Sequence, residues 1–336
     1  MTECSQMAWH TCFSSISYFG HKLDALKSGV QKYLRRREYR KMLWCVAEIY
    51  LFKVFAKSPL EKQATKGIIS NLLNRLIIML DEEMLFCEWA KYLAVRKLME
   101  EFEAGGREDF LALVKICKIM CNARLLRRNS DIRAFFGYAL KGKPPPELVK
   151  REGKNYDKYY YANFVAYFKK VDEGNLHDAC YCFYWYLKLY RRKGVGKVFR
   201  FRRKENIYMI WEFLMKRAFG NPKLRKCLRY RLEQFHNKAK KERLLFMTAA
   251  IDLSLHAAKF DWSETFTPPA TDLADLHEVF EGRQNLILDD YVIDMHCSEG
   301  RKKGKNKRDF AISGSLVVGE DQEYLVRAWR RRYNRR

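Results

Sequence analysis

Three stretches of this chain concentrate groups that could hold a polyanion. Arg191, Arg192, Lys193, Lys197, Arg200, Arg202, Arg203 and Lys204 put eight cations into fourteen residues. Phe199 and Phe201 stand between them, and Gly194 and Gly196 allow close backbone approach. Residues 301–308 hold six cations in eight, among them Arg301, Lys302, Lys303 and Lys305. Residues 327–336 hold six in ten, with Arg330, Arg331 and Arg332 set between Trp329 and Tyr333. Guanidinium groups pair with phosphate oxygens, aromatic rings stack on bases, and counterion release favours such contacts at moderate salt. The chemistry that fits is non-specific, salt-sensitive nucleic-acid binding, because no spacing here specifies a base sequence. The plainer alternative is a solvated basic face, or a tail gripping an acidic protein.

Other chemistry has thinner support. Asp294, His296 and Cys297 could form an acid–base or thiol-nucleophile group, but such roles need a spatial partner that spacing does not supply. An Asp and a His two apart, at the start of a Gly-containing basic loop, equally cap a helix. Cys117 and Cys121 lie four apart on one helical face and could join His296 and Cys297 in a composite zinc site. The chain holds no CxxC pair, however, and both cysteines fall on an apolar stripe where cysteine serves as a small hydrophobe. A nucleotide phosphate loop of the form G-x-x-x-x-G-K-[ST] is absent. The nearest imitation, Gly300 to Asn306, is one residue short and ends in Asn. Ile77 to Glu82 imitates the apolar-then-acidic metal strand of an ATPase, and reads instead as a helix with a solvated acidic end. The sequence therefore assigns no catalytic residue, no metal and no cofactor. A phosphodiester-processing enzyme lacks a clustered Asp/Glu metal site.

The scaffold for these groups follows from composition and periodicity. At 336 residues the chain has room for two domains or one large helical array. With 48% hydrophobic residues, 22 Phe, 20 Tyr and 7 Trp it does not belong to the disordered class. Lys and Arg number 65 against 40 Asp and Glu, a net charge of +25. That surplus makes nucleic acid the leading partner and an anionic membrane surface the second. Ten cysteines without framework spacing indicate a reduced, intracellular protein, nuclear or cytoplasmic. No basic, apolar leader opens the chain. The most apolar run, Ile68 to Leu80, is broken by Asn71, Asn74 and Arg75, well short of the about 20 apolar residues of a membrane span.

Only 17 Gly and 7 Pro interrupt the chain, leaving long stretches suited to helices. Phe110, Val114, Cys117 and Cys121 recur at helical spacing, flanked by Leu113 and Met120. Leu43, Val46, Tyr50 and Val54 repeat it between Glu38 and Phe55, as do Trp211, Leu214, Met215 and Ala218 between Asn206 and Phe219. The breaker Pro144-Pro145-Pro146 predicts a domain boundary. Residues 32–49 align with 169–186, 72–78 with 209–215 and 109–120 with 242–253, at offsets of 137, 137 and 133 residues. These offsets suggest a duplicated helical unit, although any two amphipathic stretches align comparably. The expectation is an all-α fold with two related helical units, 1–143 and 144–262, and a basic, mostly irregular C-terminal segment, 263–336.

Two stretches carry a family resemblance. Ala25-Leu26-Lys27-Ser28-Gly29-Val30-Gln31-Lys32-Tyr33-Leu34-Arg35-Arg36-Arg37-Glu38-Tyr39, continuing to Met42-Leu43-Trp44-Cys45-Val46-Ala47, resembles the helical region that follows the ATPase module in AAA+ clamp-loader-like proteins of the MgsA/RarA type. Asn74 to Glu82 and Cys121 to Arg124 stand where that region's next two stretches fall. A second pattern looks like a "D-x-H-T-x-x-G-R-x-x-G … F-x-x-E-G-A" motif of helical relatives of these proteins, some from phages and large DNA viruses. Here it comprises Asp294, His296, Gly300, Arg301, Gly304, Phe310 and Gly314. Cys297 stands in place of its Thr and Ser313 in place of its Glu, so roles tied to those two groups do not carry over. The likeness covers about residues 22–128 and, more weakly, 160–260. It implies a non-enzymatic, DNA-associated accessory protein of replication, recombination or repair, without the ATPase module, self-associating as a homo-oligomer or joined to a separate AAA+ partner. The competing reading is a structural protein of a large DNA virus.

Overall fold

Each apolar stripe read from the sequence needs a partner surface, and the helices supply it. A computed structural model describes residues 16–84, 87–127, 130, 180, 207–237, 243–271, 273–282 and 286–319. It is all-α, with no strand or sheet among the described residues. In chain order, α1 spans Leu23–Arg36, α2 Tyr39–Val54, α3 Pro59–Met79, α4 Trp89–Ala104 and α5 Phe110–Cys121. They are followed by α6 Ile207–Arg217, α7 Pro222–Asn237, α8 Arg243–His256, α9 Leu273–Gly282 and the short α10 Ser298–Lys302. No described helix is long and apolar enough to cross a membrane.

Local chemistry sets several of the helix ends. Ser58 and Glu61 form a reciprocal capping box at the start of α3, with Pro59 in the first turn. Asn221 Oδ1 accepts the Leu224 amide at the start of α7. The α1–α2 corner turns through Arg37 at φ +60°.

The chain divides into two units, residues 1–126 with 263–322, and residues 127–262 with 323–336. In the first, α1 packs against α2, α3 and α5, α4 lies on α5, and α9 covers α2. In the second, α6, α7 and α8 pack on one another. The α5 stripe is buried at Val114, Cys117 and Cys121, and the α6 stripe at Trp211, Leu214 and Ala218. Along α2, Leu43, Val46 and Tyr50 are buried, but Val54 is exposed because the helix ends there.

One expectation needs correction. The acidic residues after Met79 are not a solvated helix end, since the backbone widens into a π-helical turn over Leu80–Met84 that carries Asp81 and Glu83 inward. Tyr92 Oη donates to Asp81 Oδ1 at 2.8 Å. Residues 263–322 group with residues 1–126, and α9, α10 and a turn of helix at 307–309 form within them. The boundary expected at Pro144 to Pro146 lies outside the described residues. Of the three aligned pairs, 72–78 and 209–215 both fall on helices, as do 109–120 and 242–253 apart from their first residues, while 169–186 lies almost wholly outside the described residues.

Candidate functional site

The centre of the first unit is α1, and it is buried on more than its apolar side. Lys27, Lys32 and Arg35 are buried along with Leu26 and Val30. A cation on a buried helix is costly unless its charge and its N–H donors are matched. The matching groups come from residues far away in the sequence.

Lys32 meets the loop that precedes α10. Its Nζ donates to Ser28 Oγ at 2.7 Å, to the Val292 carbonyl at 2.9 Å and to Asp294 Oδ2, so all three ammonium protons are placed. Ser28 Oγ donates in turn to the Val292 carbonyl at 2.7 Å. The Lys32 and Asp294 side chains are only 2% and 6% exposed. Asp294 Oδ1 also accepts the His296 amide at 2.8 Å, and the ring Nδ1 of His296 lies 3.2 Å from Oδ2. Burial draws Lys32 down from 10.5 to about 8 even with Asp294 beside it. Burial pushes Asp294 upward, but the donors of His296 and Lys32 and the Lys32 charge outweigh it and hold the carboxyl well below the usual carboxylate range. The pair is thus ionised at neutral pH.

One turn further along α1, Arg35 repeats the arrangement. Its Nε and Nη2 grip Glu83 Oε1 at 2.8 and 2.6 Å, and Nη1 donates to the Gly314 carbonyl at 2.6 Å. Glu83 is fully enclosed and sits on the π-helical turn, which explains why α3 opens there. Gln31 Nε2 also donates to Glu83 Oε1.

Phe310 and two glycines close the site. The Phe310 ring meets His296 edge-on at 4.9 Å and lies about 6 Å from the cations of Lys32 and Arg35. A Cβ on Gly300 would stand 1.8 Å from the Asp294 carbonyl oxygen, so α10 seats against the loop only with glycine there. A Cβ on Gly314 would meet Phe310 at 2.9 Å and Lys32 Cε at 3.1 Å. The N-terminus of α10 is capped from α1, where Asp24 Oδ2 accepts the Ser298 amide at 2.7 Å. Asp294 is therefore an anchor and not the helix cap that its spacing allowed.

Around this centre, residues 289–318 strap the outside of α1. Tyr33 Oη donates to Asp289 Oδ2 at 2.9 Å, and Lys41 pairs with the same carboxylate. The Arg36 guanidinium lies 3.6 Å over the Tyr291 ring, whose hydroxyl donates to Glu38. Arg36 also donates to the Ser313 carbonyl, and the Val318 amide donates to the Arg35 carbonyl. The stretches 25–39 and 289–314 lie against each other.

Between the anchored ends of the strap, residues 301–308 face outward. Arg301, Lys302, Lys303, Gly304, Lys307 and Arg308 are exposed, and the loop turns at Gly304 with φ +73°. Lys303 pairs with Glu299, Lys305 with Asp290, and Arg301 donates to the His296 carbonyl at 2.9 Å. Lys302 and Arg308 make no ion pair among the described residues. Of the three basic clusters, this is the one the structure places. Arg191 to Lys204 and Arg330 to Arg332 lie outside the described residues.

The Cys297 thiol is buried and pushed up by that burial, so it is a poor nucleophile. Asp294 has its charge satisfied by Lys32, and the His296 ring lies against both Asp294 oxygens. Cys117 and Cys121 sit in the α5 core, with Cys121 held up to about 12 by burial and its Sγ against Met42 Sδ at 3.4 Å. Among the described residues no three His, Cys, Asp or Glu side chains come together as a metal site. The fold and site define a helical protein that locks a basic loop onto a buried central helix. Protein-family models, curated proteins and solved structures were all compared with the chain, and none matches.

Reading the sequence missed Ser28, Lys32, Arg35 and Glu83. The available signal was the spacing of Lys32 and Arg35 among apolar α1 residues, which reads equally well as a solvated stripe. It also missed the cations of α7, where Lys223, Arg225, Lys226, Arg229 and Arg231 crowd into nine residues.

Proposed function

We propose that this chain is a non-enzymatic nucleic-acid-binding accessory protein that grips the phosphate backbone without reading sequence. The observation that carries this reading is the 301–308 loop, a run of exposed cations whose two ends are tied to α1 through Asp294 and Gly314. A pre-set cationic loop gives up little conformational entropy on binding, and each phosphate it neutralises releases counterions. The net charge of +25 acts in the same direction. DNA as the nucleic acid, self-association or an AAA+ partner, and a role in replication, recombination or repair rest on the resemblance described above.

The test is fluorescence anisotropy of a labelled mixed-sequence duplex with the full chain over a salt series. Lys302→Gln with Arg308→Gln removes two cations that have no carboxylate partner among the described residues. Affinity should fall, and the slope of log K against log salt should become shallower by about 0.9 for each phosphate that is no longer neutralised. Unchanged affinity and slope in this variant would remove the loop from the interface, and no binding by the wild type at low salt would end the proposal.

A further inference from the structure

A second cationic surface lies in the other unit, on a helix that none of the three sequence clusters includes. The α6–α7 turn and the first half of α7 enclose a groove of about 440 Å³ lined by Phe219, Pro222, Arg225, Lys226, Arg229 and Tyr230, with Glu233 at its edge. Leu224, Cys227 and Leu228 point the other way into the core with Arg231, while Lys223, Lys226 and Arg229 are exposed and Arg225 is half-buried.

Three features point to the occupant. The groove holds three cations against one carboxylate, and neither Arg225 nor Arg229 makes an ion pair among the described residues. Arg225 and Arg229 are four residues apart and so about 6 Å apart along the helix axis, on one face. The groove also carries an aromatic that the core does not use. Phe219 is 75% exposed, and the Arg225 guanidinium lies 5.5 Å over its ring. An exposed phenylalanine costs solubility, and a run of carboxylates has no flat apolar face to lay on it. A chain that alternates phosphates with flat, unpaired bases uses both, through guanidinium–phosphate pairs and through stacking on a ring. In a duplex the faces of the bases are already stacked on one another.

We infer that the groove formed by Phe219, Arg225, Arg229 and Tyr230 is a binding site for single-stranded nucleic acid, with a base stacked on Phe219 and the flanking phosphates on the two arginines. This deepens and rests on the nucleic-acid reading above, and it adds a preference of strand type and a second address on the chain.

The experiment uses the full chain and two probes, a fluorescein-labelled oligothymidylate and a labelled mixed-sequence duplex. Because Phe219 is exposed, Phe219→Ala leaves the core intact. It should weaken oligothymidylate binding about 5- to 150-fold, the range for loss of one stacked base, and leave duplex binding and the salt slope unchanged. Arg225→Gln with Arg229→Gln should make the oligothymidylate slope shallower by about 0.7 for each phosphate released. Wild-type binding of oligothymidylate that Phe219→Ala does not weaken overturns the groove assignment and leaves the loop proposal standing. So does displacement of oligothymidylate by polyglutamate as readily as by unlabelled oligothymidylate. Failure of the wild type to bind either nucleic acid overturns both proposals.

Discussion

Asp294→Asn tests the central anchor most directly. The substitution keeps size and shape but leaves the Lys32 ammonium, 2% exposed, without its counter-charge. Even beside Asp294, burial lowers Lys32 from 10.5 to about 8, which is worth about 3 kcal/mol against the charged form. Without the carboxylate, whose charge and hydrogen bond both raise Lys32, the group falls further and sheds its proton nearer neutrality. Breaking one partner out of a buried pair costs about 3–5 kcal/mol, and that loss is expected near neutral pH. The pH dependence identifies the cause. The unfolded chain holds the lysine proton up to about 10.5 while the folded chain releases it lower, so lysine desolvation makes stability rise with pH across that window. A neutral Lys32 needs no counter-charge, so the penalty of Asp294→Asn should shrink as pH rises from neutrality through the wild-type Lys32 value of about 8. At the acid end, Asp294 is depressed in the folded state. Its contribution is complete above the ordinary carboxylate range and is lost as pH falls through that range toward its folded value. The assay is native-state hydrogen exchange of the α1 amides from Val30 to Arg36, which follows the first unit alone. Replacing the pair by Lys32→Met with Asp294→Leu should recover most of the loss, because no charge is then left buried. A penalty below about 1 kcal/mol, the size seen for exposed pairs, or one that does not change with pH, would refute the reasoning.

Gly300→Ala places a methyl 1.8 Å from a backbone oxygen that no rotamer can move, so α10 and its loop should loosen at a cost of about 1–3 kcal/mol or more. Exchange protection at Cys297 and Arg301 reads this, and wild-type protection there would show that the seat is not tight. Arg35→Lys should destabilise α1 nearly as much as Arg35→Met, because Glu83 and the Gly314 carbonyl are held by three separate N–H groups of a rigid fork. Urea unfolding followed at α1 by exchange checks it, and full rescue by lysine would mean that charge alone matters. Weakened nucleic-acid binding by the Lys302/Arg308 double variant and by Phe219→Ala, each on its own probe, completes the set.

The helical class was legible because it depends on local periodicity. Val114, Cys117 and Cys121 on α5, and Trp211, Leu214 and Ala218 on α6, sit where their spacing puts them, since a 3.6-residue repeat is a property of neighbours in the chain. The outward face of residues 301–308 was also legible, because clustered cations with two glycines nearby have few ways to be buried. Charge on a helix that something else will cover was not. Lys32 and Arg35 look like a solvated stripe until residues about 260 positions away arrive with Asp294 and the Gly314 carbonyl. The acidic run after Met79 misled for the same reason, since Glu83 turns inward to meet Arg35 and Gln31 of α1.

The sequence by itself settled that this is a helical, strongly basic chain and where its cations concentrate, because periodicity and charge are sums over residues. The resemblance it carries grouped Asp294, His296, Gly300, Arg301, Gly304, Phe310 and Gly314 as a set. Only the tertiary structure decided what that set does. A buried charge is tolerable only against its complement, and the complement of the 289–314 loop is the far-off helix α1, so the motif is a lock on the core. The groove on α7 likewise exists only because packing turns Leu224, Cys227 and Leu228 inward and leaves Phe219, Arg225 and Arg229 to line it.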